Sequence, residues 1–307
     1  MNKIRINPDN QPSMPAKRFS VPNFYCTKFF STITISLILC TMISCKNKAP
    51  EIVIIPDHEK NHLQKSHLFG NIKEIHTTSY YQSDSTADLR TLSSVIQYYS
   101  PDGFLLKVVT ANENEEVVST QKIFYHKNAK EDYWIISDAH GITTDSCQYV
   151  YDMNGFIAEE KRWNGDSLFL SITYKTDGAG NIIESKRNNN TFTLTHTIAY
   201  NAHGLASKIE EFEPSGKLFK YITLEYDNYG DEVNRRVCKR GGDLLEYTYT
   251  QYNDKGHLLK VIYENNTHQF RETYTYAPHD AHGNWLTEKR ENIDHSLYMR
   301  KREIIYY

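Results

Sequence analysis

The chain has 307 residues, 39% hydrophobic, 13% aromatic and 24% charged, which excludes a disordered or collagen-like protein. Its net charge of −3 is unevenly spread: the first 44 residues carry +4 and the remainder −7. An acidic body excludes nucleic acid as a partner, because phosphate binding needs a basic surface.

Residues 29–44, FFSTITISLILCTMIS, hold no charge and follow Lys17, Arg18 and Lys28. A basic stretch, a short apolar run and a small residue before the cut describe a secretory signal. The run is too short for a comfortable membrane-spanning helix. It ends in Met42-Ile43-Ser44-Cys45, which resembles a bacterial lipobox, with Met42 where Leu is usual. The expectation is a signal peptide over 1–44, with Met1 or Met14 as the start, and a lipid anchor at Cys45. Lys46 and Lys48 follow the Cys where surface-exported relatives of this type carry acids. That tilts the expected location towards the periplasmic side of the outer membrane. Residues 45–67 read as a polar tether and lead-in.

The body, 68–307, is a repeat. The pattern Tyr-x-x-x-Gly occurs at Tyr99/Gly103, Tyr151/Gly155, Tyr174/Gly178, Tyr200/Gly204, Tyr226/Gly230 and Tyr252/Gly256. A degenerate copy starts at Tyr125 and a stretched one runs from Tyr276 to Gly283. The Tyr spacings are 26, 26, 23, 26, 26, 26 and 24. Two strands and two tight turns fill such a unit. The first turn is the Tyr-Asp/Asn-x-x-Gly segment, where an Asx side chain caps the backbone and Gly accepts positive φ. The second is WNGD at 163–166, EPSGK at 213–217, KRGGD at 239–243 and ENNTH at 264–268.

Two residues before each Tyr stand Gln97, Ile123, Tyr149, Ile172, Ile198, Leu224, Thr250 and Tyr274, mostly apolar; one position earlier the residues are mostly polar. That is period-two alternation with one buried face. About sixteen strands are too many for one flat sheet. The expected fold is an all-β antiparallel array of about eight 26-residue hairpins in a curled or spiralling sheet, with a partly closed barrel or shell as an alternative. Segments 68–81 and 298–307 read as its opening and closing strands.

YDMNG, YDNYG, YNAHG and YNDKG resemble the YD repeats of RHS-type proteins, and Gly283-Asn284-Trp285 with the final strand resembles small Bacteroidota-type lipoproteins carrying such repeats. The resemblance covers 95–307. It implies architecture. The toxin-carrier role of large RHS shells is not implied, because the period is longer, the copies are few and no toxin-like segment follows them.

Candidate chemistry is sparse. His58-Glu59-Lys60-Asn61-His62 matches H-E-x-x-H, but Pro56 precedes it and no apolar helix face supports it, so a solvated tether is the better reading. His279, Asp280 and His282 cluster in a turn, where polar residues are expected anyway. Cys147 and Cys238 sit at different phases of the repeat and read as buried free thiols, with a disulfide as the alternative. No metal, cofactor or catalytic residue is assigned. The leading expectation is a non-enzymatic envelope lipoprotein whose repetitive β surface binds a protein or glycan, with Trp134, Trp163 and Trp285 as candidate stacking residues. A carrier of a lipid or apolar ligand inside the curled sheet is the alternative, and a glycan-acting hydrolase a weaker one.

Overall fold

A computed structural model describes residues 61–307 apart from positions 85, 128 and 190. The signal, Cys45, and His58 and Glu59 of the H-E-x-x-H match lie outside the described residues.

Asn61 caps a one-turn helix, α1 (His62–Lys65): its side chain accepts from the Gln64 amide, and Gln64 accepts from the Asn61 amide in return. Eighteen strands follow: β1 (Ile72–Gln82), β2 (Arg90–Tyr99), β3 (Leu105–Ala111), β4 (Val117–Tyr125), β5 (Glu131–Asp138), β6 (Thr143–Tyr151), β7 (Ile157–Asn164), β8 (Ser167–Thr176), β9 (Ile182–Asn188), β10 (Thr193–Tyr200), β11 (Ala206–Phe212), β12 (Leu218–Tyr226), β13 (Glu232–Lys239), β14 (Leu244–Tyr252), β15 (Leu258–Asn265), β16 (Gln269–Tyr276), β17 (Thr287–Asn292) and β18 (Leu297–Tyr306). Each pairs antiparallel with the next, and β18 pairs back onto β1 from Ile72↔Tyr306 to Gln82↔Leu297.

The sheet is thus a closed eighteen-stranded barrel. This corrects the expected open, curled or spiralling sheet. The opening and closing strands are 11 and 10 residues long, so they can zip along a deep seam. Closure removes the two edges that an open array would leave unpaired. The strand count follows from the repeat: eight hairpins, β2–β3 through β16–β17, are flanked by β1 and β18.

The turns follow one rule. In the β6–β7 turn the Asp152 amide donates to Phe156 O and the Gly155 amide donates to Asp152 O. The Asp152 carboxylate accepts from the amides of Asn154 and Phe156. Gly155, at φ +78, makes the bulge that lets Tyr151 pair with Ile157. The same scheme recurs at Asn201, Asp227 and Asn253. Ala129, at φ +61, takes the glycine position after Tyr125.

One copy is shifted. After β8 the turn is Thr176-Asp177-Gly178-Ala179-Gly180: Asp177 caps it and Gly180, at φ +85, occupies the bulge. Thr176, not Tyr174, stands in the repeat position, and Gly178 is not the turn glycine. This corrects the Tyr174/Gly178 assignment. The motif spacing misled because Tyr174 and Gly178 imitate the signature two residues early.

Burial separates the two faces of the wall. Ile75, Tyr99, Val108, Ile123, Cys147, Leu170, Ile198, Ile209, Leu224 and Val237 are buried, and the strand register places all of them on the same face. Segment 61–71 shows that this face lines the lumen. His62 reaches Glu131 on β5 and His67 reaches Asp231 beside β13, eight strands away around the ring. A segment this short can touch both only from inside. The outer face carries Lys122, Lys161, Lys186, Glu210, Arg236, Lys289 and Lys301 well inside their strands.

Candidate functional site

The repeated tyrosines have a structural duty. Tyr125 donates to Leu105 O at 2.6 Å, Tyr151 to Glu131 O at 2.6 Å, Tyr200 to Ile182 O at 2.7 Å, Tyr226 to Ala206 O at 2.8 Å and Tyr276 to Leu258 O at 2.7 Å. Each acceptor is the first residue of the preceding strand, beside the bulge, where the ladder is interrupted. Burial pushes the phenols of Tyr125, Tyr151, Tyr200 and Tyr276 well above their ordinary pKa, so they remain donors. Thr250 takes the same role towards Glu232 O one repeat later, two residues before Tyr252. Tyr99 is buried, and its carbonyl accepts from Tyr307 at 2.5 Å, which ties the chain end to the first repeat. Gly103, Gly155, Gly204, Gly230, Gly256 and Gly283 all hold positive φ. This end of the barrel, where the first turns of the eight repeats gather, forms one mouth.

Segment 61–71 lies across that mouth. Asn61 donates to Asp102 O at 2.8 Å, and the Leu63 amide to Gly103 O at 3.3 Å. Leu63 and Leu68 pack with Ile72, Ile75 and Tyr99. Asn284, fully buried, accepts from the Phe69 amide at 2.8 Å and donates to Phe69 O at 2.7 Å and to the Tyr306 phenol. His62 therefore meets Glu131 and the ring of Tyr125, and no group of metal-ligating side chains occurs among the described residues. Asp280 caps the stretched turn and accepts from Tyr306, while His279 stacks on His257 and His282 lies against Tyr306. Cys147 and Cys238 are free and buried, and burial pushes the Cys147 thiol up to about 12.

The lumenal wall is lined by ion pairs, some within a strand and some across strands, set between apolar patches. Glu160, fully buried, pairs with Arg162 and accepts from Tyr174 at 2.9 Å. Glu211 meets His196 and Lys220, Glu232 pairs with Arg235, Glu272 with Arg290, and Glu288 takes both Nε and Nη2 of Arg300. Each of these carboxylates thus has a basic neighbour.

The outer wall is different. Lys107 lies 4.0 Å over the Tyr98 ring, Lys208 5.2 Å over Tyr221, Lys301 5.4 Å over Tyr80, Arg236 5.8 Å over Tyr247 and Lys260 6.0 Å over Tyr249. Phe124 and Tyr133 stack across β4 and β5 with centroids 4.3 Å apart, both exposed. Several acids on this face are paired: Glu184 with Lys175, Glu159 with Lys161, Glu210 with Lys208, Glu225 with Arg236. The three tryptophans divide. Trp134 is half-buried in the lumen and donates to Tyr149, Trp163 sits on the outer face, and Trp285 is buried under Arg302. Sequence reasoning found the tyrosines of the turns but missed the outer Tyr–Lys pairs. Their partners lie on neighbouring strands, and only register brings them together.

Fold and site define a closed antiparallel β-barrel with a polar-lined lumen, one mouth crossed by its own lead-in, and a wall of mixed charge and aromatic rings. No family model matches the chain, so kinship with YD-repeat proteins remains a resemblance of motifs. No curated protein matches it either. Among solved structures it is similar to a porin-like protein from Bacteroides uniformis ATCC 8492, at 12% identity and a TM-score of 0.42, over 77% of this chain and 99% of that one. A porin-like protein from Bacteroides vulgatus ATCC 8482 gives 10% identity and a TM-score of 0.34, over 77% and 98%. The Tc holotoxin pore of Photorhabdus luminescens gives 13% and 0.36, over 69% of this chain and 13% of that one.

Proposed function

We propose that the protein is a non-enzymatic lipoprotein of the cell envelope, anchored through Cys45, whose outer barrel wall binds a protein or glycan. The observation that carries this reading is the repetition of half-buried aromatic rings beside cationic side chains on β1–β3, β11–β15 and β18. Such pairs offer flat apolar faces next to hydrogen-bond donors at regular intervals, which suits an extended polar partner. The lysines and arginines spread along the outer wall also suit attachment through a lipid.

The lumen supports the non-enzymatic part of the reading. A glycan hydrolase needs a carboxylic acid of raised pKa facing a second carboxylate. Here Glu160, Glu272 and Glu288 each pair with an arginine, Arg162, Arg290 and Arg300. The same ion pairs weigh against a carrier of apolar ligands, whose cavity is lined by apolar side chains.

The test has two arms. Protease treatment of intact and lysed cells, with Cys45→Ala as control, reads the anchor and the membrane face. Protection until lysis is the expected result, and unchanged membrane association of Cys45→Ala overturns the anchor. Glycan-array and cross-linking profiles of the full chain are then compared with a Tyr98→Ala/Tyr221→Ala/Tyr247→Ala variant. Loss of the captured partner supports the outer-wall reading, and an unchanged profile refutes it.

A further inference from the structure

Arg302 is out of balance with its surroundings. It stands on the lumenal face of β18, opposite Thr77 of β1, just inside the mouth that segment 61–71 crosses. Its guanidinium lies 3.4 Å over the ring of Trp285. The residue as a whole keeps some solvent contact, but Nε and Nη1 have none, and neither finds a hydrogen-bond partner among the described residues. Every other arginine named on the lumenal wall has a carboxylate. Here Glu288, the carboxylate whose charge acts on Arg302, is engaged at both oxygens by Arg300. Burial, with Arg300 adding to it, lowers the Arg302 pKa to about 9, so the side chain keeps its charge at neutral pH.

The neighbours add a further nitrogen without a partner. Trp285 packs on Tyr276 at 5.7 Å, Tyr276 on His257 at 5.1 Å, and His257 on His279 at 6.1 Å. His257 is buried, and its Nδ1 also lacks a partner among the described residues. Lys255 and His67 act electrostatically on the same imidazole, and His67 is already engaged by Asp231. A buried cation whose acting carboxylate is already engaged by another arginine, beside unpaired nitrogens and two aromatic rings, is complementary to an anion.

We propose that Arg302 and His257, walled by Trp285 and Tyr276, form an oxyanion-binding site on the lumenal wall of this mouth, for a small ligand carrying a carboxylate or phosphate group. The guanidinium supplies charge and donors, the imidazole a further hydrogen bond, and the rings an apolar wall for the rest of the ligand. The site is independent of the outer wall, and its success or failure leaves that reading untouched.

The experiment titrates the full chain in detergent with inorganic phosphate, D-glucuronate and D-glucose, reading heat and tryptophan emission. Saturable binding of phosphate or glucuronate, with an emission change from Trp285 and no response to glucose, is the expected result; which of the two binds distinguishes the sources. Arg302→Met weakens that binding at least tenfold, and His257→Asn weakens it severalfold while leaving the charge of Arg302 in place. If Arg302→Met does not fold, the wild-type titration and His257→Asn decide. Wild-type protein that responds to neither anion, or a folded Arg302→Met that binds as tightly as wild type, overturns the proposal.

Discussion

The phenol of Tyr151 donates to the backbone carbonyl of Glu131 at 2.6 Å, closing a ladder gap beside the preceding turn. Replacing Tyr151 by Phe keeps the ring packing and leaves that carbonyl unpaired in a half-buried place. The expected cost is about 1–2 kcal/mol, read by chemical denaturation against wild type. Equal stability would mean that the repeated hydroxyls are incidental to the barrel.

The shifted fourth turn makes a paired prediction. A Cβ on Gly180 would meet the Phe156 ring at 2.2 Å, and its φ is +85, whereas Gly178 has ordinary φ and open space around it. Gly180→Ala should destabilise by about 1 kcal/mol or more, and Gly178→Ala should be neutral or slightly stabilising. Thermal melts of the two variants distinguish the observed turn from the one that the motif spacing suggests.

Acid sensitivity should come in two windows. For Asp177 and Asp280, burial raises the pKa, but hydrogen bonds to the carboxylates outweigh it, from Asn181 and Ala179 in one case and from Tyr306 and Asn284 in the other. Both groups end below the ordinary value. A depressed acid pKa gives stability that is complete above about 3.9 and lost as pH falls through the folded value. His257 is lowered to about 4, by burial first and then by His279. Between about 6.5 and 4 the unfolded chain binds the extra proton, so this contribution also fades as pH falls, but earlier. Denaturation midpoints from pH 8 to pH 3 should show both steps, and His257→Gln should remove the upper one.

The charged outer wall predicts behaviour in water. Cys45→Ala, expressed without lipid attachment, should remain soluble and β-rich without detergent, as judged by circular dichroism and sedimentation. Aggregation that only detergent or lipid reverses would show that the wall needs an apolar solvent.

Much of the fold was legible in the chain. The Tyr-x-x-x-Gly period marks the hairpins because six of the eight turns use an Asx cap and each needs a residue at positive φ, and both are local demands. The second turns at 163–166, 213–217, 239–243 and 264–268 are legible for the same reason. Closure is not local: the β1–β18 seam joins Ile72 to Tyr306 across the whole chain, and neither strand advertises its partner. The fourth turn is misread because Tyr174, which binds Glu160 rather than a backbone carbonyl, stands where the pattern wants the ladder tyrosine. The candidate surfaces are less legible still. Tyr98 with Lys107, and Arg302 with Trp285, become neighbours only through strand register.

Closure is the central claim, and a cross-link tests it most directly. Thr78 and Lys301 stand opposite each other on the outer face of the β1–β18 seam. In Thr78→Cys/Lys301→Cys the new thiols lie within disulfide reach if the barrel is closed. Mild oxidation of the folded protein should give an intramolecular link between these two positions, identified by mass spectrometry and lost on reduction. Two thiols that both react with a small alkylating reagent yet never join would show that the seam is open, and with it the account of a closed barrel would fall.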